Sequence, residues 1–207
     1  MTAWRNARDS DQGRRSGVSP ENRVRELIAA VVDDTTAVAD QVRGLSYDEI
    51  HRIECDQSAP LGDAYRRFLA LIGGGAGHFL LGSDVFYPAV IGLGEAAREL
   101  LAENEVPFVL AESDRVILMH QGYQFDFLRG PEPDPEVWSY REGDGPGDVP
   151  TLSFNRFTDW LQEQVAQQTE AWARLVPWYE AEKQKGPGER RVYFRRRYPD
   201  GTFRDEF

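Results

Sequence analysis

Apolar residues recur at helical spacing through the first third of the chain. Val24, Leu27, Ile28, Val31 and Val32 fall on one face of a helix predicted over residues 20–42, opened by Pro20, whose fixed φ suits a first turn, and stopped near Gly44. Ser46 followed by Glu49 is a capping-box pattern, and Ile50 and Ile53 behind it predict a short second helix. Leu61, Tyr65, Phe68, Leu69 and Ile72 line a third helix that runs into Gly73, Gly74 and Gly75, with Gly73 expected to close it in the left-handed conformation. A strand and turn are expected over residues 78–88, then a short helix over 94–105 with Ala97, Leu100 and Leu101 inward.

From there the period changes to two. Residues 106–113, 115–122 and 123–130 are three strand-like runs, separated by Glu112-Ser113-Asp114 and closed by Gln121-Gly122, an arrangement that predicts an antiparallel meander. In the third run Tyr123, Phe125 and Phe127 share one face and Gln124 and Asp126 the other, so one face is expected to be buried and the other wet or occupied. After a proline-punctuated loop, residues 137–142 alternate as a further strand. Ser153 is expected to cap a closing helix that carries Phe154, Phe157, Leu161 and Val165 and continues up to Pro177.

Strand-like runs around the turn signal Pro199-Asp200-Gly201 predict a terminal hairpin. The expected fold is α+β: a meander of about four to six antiparallel strands packed against N-terminal helices and a C-terminal helix. The expected organisation is a flexible arm over residues 1–19, one domain over 20–185 and a β-hairpin extension over 186–207. Tyr65, Phe68, Leu69, Phe108, Phe127, Phe154 and Phe157 are expected to meet in one core.

Charge adds direction to this frame. The chain of 207 residues has a formal charge of −11, yet each end carries +2, so residues 20–185 hold −15. Such a field repels phosphate backbones and draws basic partners, which makes nucleic acid a poor ligand for the body. Cys55 is the single cysteine, so no intrachain disulfide forms and a reducing compartment is expected. Residues 68–83, the most apolar stretch free of charge, are too short to span a bilayer, and the first residues lack the apolar segment of a secretory signal. The expected location is the cytoplasm, without membrane association.

Catalytic chemistry has little to stand on in the sequence. His51, His78 and His120 lie on separate predicted elements, and no second cysteine completes a zinc-ligand spacing. The triple glycine follows a helix instead of opening one and lacks the Lys-Ser/Thr of a phosphate loop. Asp114, His120 and Asp126 on adjoining runs are the one set that could converge into an acid–base site. No enzyme, metal or cofactor is expected. The constellation that stands out is acidic and aromatic: Glu112, Asp114, Asp126, Trp138, Tyr140, Glu142 and Asp144, in which aromatics would anchor a protein interface and carboxylates would orient a basic partner. The tail offers a rival surface, with Arg190, Arg191, Arg195, Arg196 and Arg197 interleaved with Tyr193, Phe194 and Tyr198, suited either to RNA or an acidic protein or to lying back on the acidic body.

The order of these motifs resembles the SUKH superfamily, the Smi/Knr-like proteins. The residues that carry the likeness are Tyr65, Phe68 and Leu69 running into Gly73–Gly75, then Pro107-Phe108, Asp114, Pro135, Val137 and Tyr140, and finally Ser153, Phe154 and Phe157. The likeness covers about residues 20–170; Glu112-Ser113-Asp114 departs from the Gly-Asp-Gly-like turn usual there, and the tail after Gly186 lies outside the pattern. The resemblance implies an α+β fold and a non-catalytic binding role, foremost immunity against a bacterial protein toxin, with a regulatory interaction module of the fungal cell-wall type as the alternative.

Overall fold

A computed structural model describes residues 18–33, 41–59, 61–143, 148–185, 194–197 and 202–206. Its centre is a five-stranded antiparallel sheet in the order β3 (Ser83–Asp84), β4 (Arg115–His120), β5 (Gln124–Arg129), β6 (Glu136–Arg141) and β7 (Thr151–Phe154), a meander in which each strand pairs with its neighbour in sequence. Helices α1 (Pro20–Asp33), α2 (Tyr47–Asp56) and α3 (Asp63–Ile72) precede it, α4 (Leu93–Glu103) is inserted before β4, and α5 (Phe157–Lys183) follows β7. The fold is therefore α+β. A small pair, β1 (Val42–Arg43) with β2 (Gly75–Ala76), ties the ends of the α1 and α3 segments together.

The core forms where helical faces meet the sheet. Phe157 of α5 packs edge-on against Tyr65 and Phe68 of α3 at 5.5 and 5.8 Å, which joins the two helices through fully buried rings. Tyr65, Phe68, Leu69, Phe127 and Phe157 are buried as expected, while Phe108 and Phe154 are half-buried at its margin. The capping box at the start of α2 is present, with the Glu49 amide donating to Ser46 Oγ and the Ser46 amide to Glu49 Oε2. Arg115, fully buried, donates to the carbonyls of Ile53, Gln57 and Ala59 and so serves the carbonyls that the end of α2 leaves unpaired.

Several elements differ from the sequence reading. Helix α1 is described over Pro20–Asp33, residues 34–40 of the expected helix lie outside the described residues, and Val42 belongs to β1. Gly73 stays right-handed (φ −58°), and the left-handed step falls at Gly75 (φ 135°). Gly73 is needed for close approach instead, since a Cβ there would stand 2.6 Å from the Leu69 carbonyl oxygen. Residues 106–113 form no strand; the Asp114 carboxylate accepts the Ala111 amide and folds the segment into a turn. Ser153 lies in edge strand β7 and caps nothing. Helix α5 begins at Phe157 because Asp134, from the preceding loop, accepts both the Thr158 amide (2.9 Å) and its hydroxyl (2.6 Å), and it continues through the exposed Pro177. The strands β8 (Phe194–Arg197) and β9 (Phe203–Glu206) pair antiparallel, while residues 1–17 of the expected arm and the turn at 198–201 lie outside the described residues.

The sheet edges are both blunted. Strand β3 covers only the last two residues of β4, and beyond it the Gln57 side chain replaces a strand, its amide donating to the Val116 carbonyl (2.9 Å) and accepting the Val116 amide (2.8 Å). At the other edge the pairing of β7 with β6 slips by one residue at Ser153, a bulge of the kind that discourages edge-to-edge association. Among the described residues no helix is long and apolar enough to cross a membrane.

Candidate acidic and aromatic binding site

The register of β5 on β6 sorts the expected site residues onto two faces. Phe125 stands opposite Tyr140 and Phe127 opposite Trp138, so these four share one face with Arg129; Asp126 stands opposite Ser139 on the other. The second face lies beneath α5. Asp126 is buried there, and its Oδ2 accepts the indole N–H of Trp160 at 2.9 Å. Of the two expected alternatives, wet or occupied, the second holds at Asp126: a period-two pattern marks it as outward, but a helix from beyond the sheet supplies the donor that lets it be covered. Burial pushes the Asp126 carboxyl up, against the hydrogen bonds from Ser139 and Trp160 and the charge of Arg141.

Asp114 is also withdrawn from solvent. Its carboxylate takes Nε and Nη2 of Arg129 in a bidentate pair at 2.9 and 2.7 Å, besides the Ala111 amide. The Arg129 guanidinium then lies 4.5 Å from the centre of the Trp138 ring and 5.2 Å from those of Phe108 and Phe127. Trp138 is half-buried, and its indole N–H donates to Glu136. Asp114 therefore acts on this surface through Arg129 rather than by direct contact, a positioning role that its sequence position did not reveal.

The remaining expected residues divide again. Tyr140, 3% exposed, packs at a tilt against Phe125 and lines a cleft of about 460 Å³ bordered by Glu105, Val106, Pro107, Glu142 and Asp148. Burial, and then the charges of Glu142 and Asp148, push the Tyr140 hydroxyl up, so it stays a neutral donor and acceptor. Glu112 is exposed in the turn before Asp114, apart from the cleft, and Asp144 lies outside the described residues. The structure thus brings Tyr140 and Glu142 together and links Asp114 to Trp138, while Asp126 belongs to the opposite face.

Sequence reading missed Glu105 and Asp148, the other two carboxylates of the cleft, and Arg129, which organises the aromatic patch. Glu105 was legible only as the end of an expected helix. The residues weighed for catalysis are occupied separately: Asp114 with Arg129, Asp126 with Trp160, and His120 with Ser83 at 2.9 Å. Among the described residues no group of His, Cys, Asp and Glu is placed to hold a metal ion. Compared with protein-family models and with the curated proteins, the chain matches none.

Proposed function

We propose that this chain is a non-catalytic protein-binding domain of the SUKH type, acting in the cytoplasm as an immunity protein that occludes a basic bacterial toxin. The observation that carries the reading is the composition of one sheet face: half-buried Trp138 and buried Tyr140 lie along β6, with the acidic cleft of Glu105, Glu142 and Asp148 at the end of that strand. Aromatic area at the centre and carboxylates at the rim suit a protein interface, in which the rings contribute desolvated contact and the charges orient the partner. The net −15 of residues 20–185 supports a basic partner over a nucleic acid. The ordered motif resemblance supports the immunity role specifically.

The test is co-expression with any toxin domain that a neighbouring gene encodes. Rescue of growth together with a co-purifying complex is the expected result; neither rescue nor complex would overturn the reading.

A further inference from the structure

Residues 104–110 cross from the end of α4 to the sheet as a ridge with a different cavity on each side. On one side is the acidic cleft described above. On the other is a groove of about 300 Å³ lined by Leu101, Ala102, Val106, Phe108, Val109 and Leu110, with Arg98, which donates to the Gly94 carbonyl, at its border and Val109 standing 86% exposed at its lip. Val106 lines both.

We infer that this ridge is the docking surface for a basic segment of a protein partner, an arginine entering the acidic cleft while a neighbouring apolar side chain fills the groove. The inference rests on the protein-binding reading and adds to it the chemistry of the occupant. Three observations support it. The cleft presents the exposed carboxylates of Glu105 and Glu142, and among its described lining residues there is no cationic side chain, so its charge is complementary to a cation. Tyr140 is buried except where it lines the cleft, and its hydroxyl, with no hydrogen-bond partner among the described residues, is open to a ligand there. A guanidinium, with five donors in a planar fork, can engage several such oxygens at once, which an ammonium does less well.

The third observation is the backbone at Glu105. It sits at φ 51°, one of three non-glycine residues at positive φ among those described. Its amide bonds to the Ala102 carbonyl and the Val106 amide to that of Leu101, the hydrogen-bond pair that closes a helix through a left-handed residue. Glycine is the residue that best suits this position, so Glu105 costs stability relative to glycine while placing a carboxylate on the border of the cleft.

The probes are N-acetyl-Leu-Ala-Arg amide and its citrulline counterpart, which keeps the shape and loses the charge, titrated into the full chain and followed by amide shifts. The arginine peptide should shift residues 101–110 and 140–143, with citrulline binding about tenfold more weakly. Glu105→Gly should raise the thermal midpoint by about 2–4 °C while weakening the arginine peptide several-fold. Tyr140→Phe, which deletes only the hydroxyl, should also weaken it. Equal binding of the two peptides, shifts centred elsewhere, or an unchanged affinity in Glu105→Gly would each overturn the inference. Peptide binding at the ridge without any toxin complex would sink the immunity role and leave this surface standing; a toxin complex indifferent to both substitutions would do the reverse.

Discussion

Asp114→Ala removes a carboxylate that accepts three hydrogen bonds, two from the Arg129 guanidinium and one from the Ala111 amide. The Asp114 side chain is fully buried, whereas that of Arg129 is 29% exposed and lies against three aromatic rings. Losing the pair leaves Arg129 with access to water and with its ring contacts, so the cost is below that of stranding a fully buried charge: about 2–4 kcal/mol, the sum of a charge-assisted pair and one backbone hydrogen bond. Arg129→Met is predicted to cost more than Asp114→Ala, because it strands the carboxylate that solvent cannot reach. The double variant should cost less than the two single losses together, by about 1–3 kcal/mol. Urea denaturation of the four proteins, with unchanged slopes, measures all three quantities. A loss under about 0.5 kcal/mol for Asp114→Ala would refute the structural role and return Asp114 to the exposed surface that its acidic turn suggested.

Three further outcomes follow from the same geometry. Gln57→Ala should cost about 2–4 kcal/mol in urea denaturation, since it leaves the Val116 amide and carbonyl unpaired inside the molecule. Phe157→Ala, which deletes the ring between Tyr65 and Phe68, should cost about 3–5 kcal/mol, and an unchanged midpoint would show that α5 does not dock there. Asp126→Asn should stabilise the protein at neutral pH: with the folded-state pKa raised, the folded protein binds the extra proton, stability falls as pH rises from the unfolded-state pKa of about 3.9 through the folded value, and an uncharged amide escapes that loss. The advantage of the variant over the native chain should therefore shrink toward acid pH in denaturation series, and a constant difference would argue against a buried titrating carboxyl.

Much of the frame was legible because it depends on local chemistry. The Ser46–Glu49 box starts α2 by itself, and Gln121-Gly122 turns β4 into β5 without help from elsewhere. What escaped the sequence depends on partners distant in the chain. Asp134 caps Thr158 across 24 residues, so Ser153 looked like the better cap and β7 was missed. Asp126 looked solvated because its cover, Trp160, comes from α5, and Gln57 gave no hint that its amide would complete the edge of β4 from 59 residues away. At the candidate site, Tyr140 and Glu142 were legible as a strand end, but Glu105 and Asp148 join them only through folding.

The central claim is steering of a basic partner onto this face, and its most direct measurement is the association rate constant with the purified partner that the co-expression test identifies. The rate should be followed across a salt series for the native chain and for the Glu105→Lys, Glu142→Lys double variant. With a Debye length of about 8 Å at physiological ionic strength, an exposed acidic cleft biases encounter at close range and loses that influence as salt rises. The native rate should fall steeply with salt, and the double variant should associate about tenfold or more slowly at low salt while its dissociation rate changes less. A native rate independent of salt, equal to that of the charge-reversed variant, would contradict the account.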